Sequence, residues 1–172
     1  LAGGARWIYP WRMEYASLDS PLGRLTVAAE NGVIRRLTWD GLMGRPTSLP
    51  TAAHTCPALT AAIHQLRGYF DGDRAPFDLP LAPLASPLVQ RVCAAMTTIP
   101  YGETLTYGAI AAQVGSGARA VGRACGANPI PILIPCHRVV GAGGKLTGYS
   151  GAGGTVTKKW LLDLEAGQST WV

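Results

Sequence analysis

Hydrophobic and polar residues alternate in three short segments near the start of the chain, at residues 13–18, 24–29 and 32–39. The alternation is clearest in RLTVAAE and GVIRRLTW, and a period of two is typical of strands with one buried face. The sequence ENG at 30–32 is typical of a tight hairpin turn. The pattern therefore predicts a small antiparallel sheet.

A helical period follows, after a loop rich in proline, glycine and threonine. In TCPALTAAIHQLRGYF the apolar residues recur every three or four positions, and the pattern stops at DGD. One stripe of this predicted helix consists of Leu59, Ile63, Leu66 and Phe70. The next stretch, APFDLPLAPLASP, is broken by prolines, and it predicts a linker with a domain boundary near residue 80.

The second half of the chain is helical and punctuated by glycine. Ser86 and Pro87 predict a helix start with a capping serine, and the predicted buried face is Leu88, Val92 and Met96. TYGAIAAQVG begins at a predicted cap, Thr106, and ends at Gly115. A tight glycine turn at 115–117 leads into ARAVGRACGAN, and two short helices joined in this way predict a helix-turn-helix unit.

Together these elements predict an α+β protein with two domains. Residues 13–79 form a small α/β scaffold of antiparallel sheet plus helix, and residues 80–172 form a mostly helical domain that ends in the helix TVTKKWLLDLEAG. Residues 1–12 are interpreted as an N-terminal extension or a cloning remnant and receive no function.

Composition narrows the class of protein. A hydrophobic content of 48% with 15% charged residues describes a globular chain and excludes a disordered one. The four cysteines form no CxxC pair, which favours a reduced intracellular setting. No apolar run approaches the ~18–20 residues of a membrane span, and the first residues lack the apolar core of a signal peptide. A cytoplasmic protein without a membrane partner is predicted.

Positive charge is concentrated in the second half. Residues 79–162 hold seven basic residues and one acidic residue, which gives this segment a charge of +6. The whole chain has a net charge of +5, so the rest of the chain sums to −1. A basic half favours a nucleic-acid partner, with a generic solubilising surface as the alternative. In the second helix of the helix-turn-helix, Arg119 and Arg123 share a face, and the small Ala120 and Gly122 permit close approach to a groove. A solvated arginine face is the alternative there.

Candidate chemistry lies at the end of NPIPILIPCHRVVG, where prolines stiffen the backbone and aliphatic residues anchor it. Cys136 can act as a thiolate nucleophile if a base or a positive charge is near. Adjacent side chains point in different directions, so a water between Cys136 and His137 is favoured over a direct ion pair. A carboxylate would orient His137. Glu165 lies at the edge of the packed face of the last helix whereas Asp163 falls away, so Cys136, His137 and Glu165 form a candidate triad.

No catalytic or metal-binding role is predicted for Cys93, Cys56 or His54. A buried structural role is the usual state of a free cysteine, and it is assigned to Cys93 and Cys56. His54 and Cys56 could be half of a metal site, but tetrahedral zinc needs four ligands. GAGGKLTGYSGAGG is a weak match to phosphate-binding loops. No metal and no cofactor are predicted.

Three stretches, NPIPILIPCHRVVGAGGKLTGYS, IPYGETLTYGAIA and ARAVGRACGANP, resemble the O6-alkylguanine-DNA alkyltransferase family. The run from Pro135 to Val139 is specific to it, and a looser resemblance extends over residues 15–166. It implies a ribonuclease-H-like first domain and a winged helix-turn-helix. It also implies DNA repair by irreversible, stoichiometric alkyl transfer from O6-alkylguanine, with O4-alkylthymine as a second candidate, after minor-groove binding and base flipping. The implied partner is double-stranded DNA, bound by a monomeric protein.

The resemblance also implies residue roles. Cys136 is the alkyl acceptor, His137 the water-mediated base and Glu165 the residue that orients it. Asn128 ties the turns around the site, and Tyr107 helps to rotate the phosphate of the flipped nucleotide and to protonate the leaving base. Arg119 fills the gap in the duplex, and the other DNA-contacting positions are Thr106, Ala120, Gly122 and Arg123. The implied pocket is lined by Cys125, Pro131, Val139, Tyr149 and Ser150.

The sequence departs from the family pattern at three places. The turn at 115–117 is shorter than in many relatives, the loop GYSGAGGTVTKKW is longer than in some, and Cys93 stands where relatives often have tryptophan. Two rival functions remain. A lesion-binding module would lack the acceptor cysteine, which is present here, and a thiol hydrolase is disfavoured because Cys136 and His137 are adjacent.

Overall fold

The computed structural model describes residues 13–39 and 56–167 of the 172-residue chain. The interpretations made for residues 1–12 and for His54 lie outside the described residues.

The predicted sheet is confirmed as an antiparallel meander of β1 (Met13–Ser20), β2 (Gly23–Glu30) and β3 (Val33–Trp39). The β2–β3 turn has Asn31 at φ 52° and Gly32 at φ 77°, the left-handed geometry that short hairpins require. One face of the sheet is apolar and fully buried, with Leu25, Val27, Ile34 and Leu37 at its centre.

The helix α1 (Pro57–Phe70) covers this face, and its predicted stripe of Leu59, Ile63, Leu66 and Phe70 is buried. The segment interpreted as a linker then runs along the outer edge of β3. Ile34 N donates to Pro80 O at 2.8 Å, and Ala82 N donates to Ile34 O at 3.0 Å. This bridge protects an edge strand that would otherwise present unpaired main-chain groups.

The second half is built from α2 (Pro87–Thr97), α3 (Tyr107–Val114), α4 (Ala118–Gly126) and α5 (Thr155–Glu165). Pro87 begins α2 as predicted, but the side chain of Ser86 makes no capping hydrogen bond. Ser86 is exposed, so water can satisfy the helix N–H groups in its place. The buried face is also rotated from the prediction, because Val89 is buried and Leu88 is only half-buried.

The helix-turn-helix prediction is confirmed by α3 and α4. Thr106 Oγ1 accepts a hydrogen bond from Ala109 N at 3.1 Å, and Gly115 ends α3 at φ 62°. A short parallel pair, β4 (Leu105–Thr106) with β5 (Val139–Val140), ties the start of α3 to the segment after Cys136.

A single hydrophobic cluster joins both halves, from the sheet through α1 and α2 to residues 130–136. No helix in the described part of the chain combines the length and apolar character needed to cross a bilayer.

Candidate active site

The turn before Cys136 is rigid and strained. Ile132 lies at φ 72°, a conformation that costs a β-branched residue about 1–3 kcal/mol and persists only where surrounding contacts enforce it. Asn128 provides such contacts, because its Nδ2 donates to Ile134 O at 2.9 Å and its Oδ1 accepts from Ile130 N at 3.0 Å. A buried amide therefore clamps both ends of the turn that presents the cysteine.

Cys136 begins a 3₁₀ turn and is only 3% exposed. Its Sγ lies 3.2 Å from Ser150 Oγ. Burial raises the pKa of the Cys136 thiol, and hydrogen bonds from Ser150 and Asn128 and the charge of Lys158 act in the opposite direction. The resting thiol is therefore protonated at neutral pH, and it needs a base to become a nucleophile.

His137 is fully buried, and its Nε2 lies 2.7 Å from Glu165 Oε1. Burial lowers the pKa of His137, so the imidazole is neutral at neutral pH. A neutral ring beside a carboxylate carries its proton on Nε2, which leaves Nδ1 as an acceptor. Nδ1 is buried and has no hydrogen-bond partner among the described residues, so it is available to take a proton.

Glu165, the last residue of α5, accepts hydrogen bonds from four groups. They are His137, the Arg138 guanidinium (Nε to Oε2, 2.9 Å), the Tyr69 hydroxyl (2.7 Å to Oε1) and Gly102 N (3.1 Å to Oε2). Burial alone would raise the pKa of this carboxyl, but the hydrogen bonds from His137 and Arg138 and the positive charge of Arg138 outweigh it and lower the pKa to about 2. Because His137 is neutral, the lasting ion pair is with Arg138.

The structure thus places Glu165, and not the other candidate carboxylate, beside His137. Asp163 pairs instead with Lys159 at 2.5 Å, one turn away on the outer side of α5. Cys136 and His137 share no direct hydrogen bond in the described structure, in line with the predicted need for a bridging water.

A cavity of about 180 Å³ opens onto Cys136. Three of the predicted pocket residues line it, namely Cys125, Tyr149 and Ser150, and they are joined by Tyr107, Gly122, Gly126 and Gly148. Two predicted pocket residues do not line it. Val139 is fully buried in β5, where it pairs with Leu105, and Pro131 lies in a neighbouring groove along β3.

Cys125 is a second thiol in this cavity, but its chemistry differs from that of Cys136. Burial, followed by the charge of Cys136, raises the pKa of Cys125 to about 12. Its Sγ contacts Met96 Sδ at 3.6 Å, and no histidine accepts from it among the described residues. Cys93 is similar, since burial raises its pKa to about 12. Among the described residues, Cys136 alone combines the cavity with a neighbouring base.

Sequence reasoning missed Lys158, which is fully buried. Its Nζ donates to the carbonyls of Val139 (2.5 Å), Thr147 (2.9 Å) and Gly148 (3.3 Å) and to the Tyr107 hydroxyl (3.3 Å). The signal was present in the spacing: Lys158, Leu161 and Glu165 follow the i, i+3, i+7 stripe of one helix face. This ammonium group ties the glycine-rich loop to the cavity wall.

Four of the five predicted DNA-contacting residues lie on α4, the helix that also contributes Gly122 to the cavity wall. Arg119 and Arg123 are exposed on α4, whose opposite face buries Val121 and Ala124. Gly122, from the same helix, lines the cavity. Ala120 is half-buried on α4, and the Thr106 side chain is occupied in capping α3. One short helix therefore carries exposed arginines and a wall of the cysteine cavity.

Two family models match the chain. Residues 13–83 match the ribonuclease-like domain of 6-O-methylguanine DNA methyltransferase, and residues 87–167 match its DNA binding domain. The methylated-DNA–protein-cysteine methyltransferase of Mycobacterium tuberculosis is 46% identical over 158 residues, which cover 89% of this chain and 92% of that protein. The chain belongs to the O6-alkylguanine-DNA alkyltransferase family. Another relative, the constitutive methylated-DNA–protein-cysteine methyltransferase of Bacillus subtilis, is 42% identical over 156 residues, 88% of this chain and 94% of that protein.

Solved structures of this family confirm the predicted fold class. The M. tuberculosis OGT in complex with DNA superposes with a TM-score of 0.77 at 45% identity, covering 90% of this chain and 94% of that one. An O6-methylguanine DNA methyltransferase from Methanococcus jannaschii gives a TM-score of 0.63 at 26% identity, covering 91% and 96%. This chain therefore shares the α+β architecture of these two structures, with a sheet domain followed by a helical domain.

Proposed function

We propose that this protein repairs DNA by direct damage reversal, moving the alkyl group of O6-alkylguanine in double-stranded DNA onto Cys136 once per molecule. One observation carries the proposal. Cys136 faces a cavity bordered by the second helix of a helix-turn-helix, and the neutral His137 beside it is held by the ionised Glu165. A nucleophile, a base and a DNA-binding helix are thereby brought together.

In the proposed reaction the Cys136 thiol passes its proton through a water to His137 Nδ1. The sulfur then forms a bond to the alkyl carbon as the bond from that carbon to O6 breaks. The electron pair stays on the base, which takes up one proton and becomes guanine, so the proton lost by the thiol is balanced. We assign assistance in that last transfer to the Tyr107 hydroxyl, because it lies in the cavity wall and accepts a hydrogen bond from Lys158 Nζ at 3.3 Å. The thioether product has no leaving group, so each molecule reacts once.

The alkylated base must leave the duplex to reach Cys136, because the base is stacked inside the double helix and the sulfur lies in a cavity of the protein. Extrusion costs a few kcal/mol, and we assign Arg119 to the gap that it leaves. Arg123, Thr106, Ala120 and Gly122 complete the proposed minor-groove contact. Asn128 holds the turn that presents the sulfur, and Cys125, Tyr149 and Ser150 enclose the alkyl group.

We propose further that the boundary between the two domains lies near residue 80, and that the protein acts as a monomer in the cytoplasm. The chemistry described uses only side chains of this chain, a water and the DNA.

The test is intact-mass analysis and peptide mapping after mixing the protein with a duplex that carries one O6-methylguanine. We expect the mass of one methylene on Cys136, saturating at one per protein. Cys136→Ala should bind the duplex without gaining mass, whereas Cys56→Ala, which alters a buried cysteine at the start of α1, should react normally. Tight binding of wild type without a mass change would indicate a lesion sensor, and repeated turnover on an ester would indicate a hydrolase. Either result would contradict the proposal.

A further inference from the structure

Tyr69 connects the first half of the chain to the candidate active site. It is the second-to-last residue of α1 and is only 3% exposed. Its ring packs against those of Phe70, Phe77 and Tyr101, with centroids 5.4, 5.5 and 5.9 Å away. Burial and contacts with three other aromatic rings leave this ring little freedom to move.

The hydroxyl of Tyr69 donates to Glu165 Oε1 at 2.7 Å, the same oxygen that His137 Nε2 contacts at 2.7 Å. Burial, followed by the charge of Glu165, raises the pKa of Tyr69 well above its ordinary value, so the hydroxyl is a donor at any working pH. Tyr69 and His137 are 3.5 Å apart through Oη and Nε2. Since both carry protons there, they compete for one acceptor.

We infer that Tyr69 is a positioning residue for the alkyl transfer: by sharing Glu165 Oε1 with His137, it orients the carboxylate and keeps His137 neutral and able to accept the thiol proton. The inference rests on the function proposed above. It also gives the first domain a direct role in the chemistry, because α1 supplies Tyr69 to the hydrogen-bond network around Glu165. The other members of this network are His137, Arg138 and Gly102, which all come from the second half of the chain.

Charged groups around the network also affect the protonation of His137, whereas the Tyr69 hydroxyl is a neutral donor. The charge of Glu165 favours protonated His137, and those of Arg138 and Lys158 oppose it. Arg138 Nη2 also donates to Oε1, at 3.0 Å. The outer side of the network is faced by Tyr101, Arg74 and Asp73, and the cavity side by Cys136 and Tyr149. Tyr69→Phe removes one hydroxyl from this set without changing any charge.

The sign of the effect follows from the shared oxygen. Without the Tyr69 donor, the negative charge on Oε1 is less dispersed and stabilises an imidazolium more strongly. The pKa of His137 should therefore rise, by about 0.5–1 for the loss of one hydrogen bond. The acid limb of the pH–rate profile should move up by the same amount. Where the pH is below the His137 pKa of both wild type and variant, Tyr69→Phe should react about threefold to tenfold more slowly than wild type.

The first experiment measures single-turnover methyl transfer from O6-methylguanine duplex between about pH 4.5 and pH 9. Wild type, Tyr69→Phe and Tyr101→Phe are compared. Tyr101 belongs to the same aromatic cluster, but its hydroxyl donates to Leu164 O at 3.4 Å instead of to Glu165, so its profile should match wild type. A uniform fall in rate for Tyr69→Phe, with the acid limb unmoved, would reduce Tyr69 to a packing role and overturn the inference.

A second experiment needs no DNA. Imidazole ¹⁵N chemical shifts report the tautomer and pKa of His137, whose signals are assigned by their loss in His137→Asn. We expect the proton of His137 to lie on Nε2 in wild type. The pKa of His137 should be higher in Tyr69→Phe than in wild type and unchanged in Tyr101→Phe. An unchanged pKa would also overturn the inference. If wild type transferred no methyl group, the proposed function would fail, while this titration would still decide whether Tyr69 controls His137.

Discussion

Glu165 makes the stability of the fold depend on pH. Its pKa falls from an ordinary 4.5 to about 2 in the folded protein, which corresponds to about 3 kcal/mol. Because the folded-state pKa is the lower one, this contribution is fully present above about pH 4.5. It is lost as the pH falls from about 4.5 to about 2.

The unfolding free energy of wild type, measured in urea, should therefore fall as the pH drops from about 4.5 to about 2. That of Glu165→Gln should fall much less over the same pH range. The variant starts from a lower value, since it leaves Arg138 without its buried partner. Glu103→Gln, a change at an exposed carboxylate, should retain the wild-type slope. An equal slope in wild type and Glu165→Gln would show that other groups control acid unfolding.

Asn128 links the strain at Ile132 to reactivity. Asn128→Ala removes both hydrogen bonds of its amide to the turn, so the turn should relax and Cys136 should lose its fixed position. We expect a loss of about 2–3 kcal/mol in unfolding free energy and a fall of about 10- to 100-fold in transfer rate. Ser17→Ala serves as the control, since it removes a hydrogen bond to Thr26 in the distant β1–β2 hairpin. It should lower stability without changing the rate.

The glycine-rich loop before α5 is tightly packed against the first domain. A Cβ on Gly151 would lie within 2.6 Å of the Trp39 ring and closer still to that of Tyr149. Gly151→Ala should therefore displace Tyr149 and Ser150 from the Cys136 cavity and slow methyl transfer about tenfold. Gly68→Ala, whose Cβ would meet nothing closer than 3.4 Å, should react at the wild-type rate. Normal transfer by Gly151→Ala would mean that the loop adapts at no cost to the site.

Local patterns predicted the helices and strands well, because each depends on periodicity and on neighbouring residues. The end of α3 at Gly115 and the stripe of α1 follow directly from such rules. The errors at Ser86 and Leu88 arose where context decides, since a capping side chain can yield to water and a helix can rotate by one residue to fill its core.

The candidate site was predictable only in part for a related reason. Cys136 and His137 are adjacent, and Glu165 lies on a readable helix stripe. Tyr69, by contrast, is separated from Glu165 by 96 positions in the sequence, and only the packing of α1 against the second half brings them together. Lys158 was counted only among the seven basic residues of 79–162, because nothing local shows that four oxygen atoms surround its ammonium group.

Substitution of an exposed arginine on α4 tests whether this helix contacts duplex DNA during methyl transfer. Arg119→Ala should slow methyl transfer from duplex and reduce the salt dependence of DNA binding, because fewer counterions are released. Transfer from free O6-methylguanine base should be unaffected, since the Cys136 cavity is unchanged and no duplex gap has to be filled. Arg91→Ala removes an exposed arginine on α2 and should leave the duplex rate near that of wild type. An equal loss with duplex and free base would place Arg119 in the chemistry of the cavity instead of in extrusion of the base.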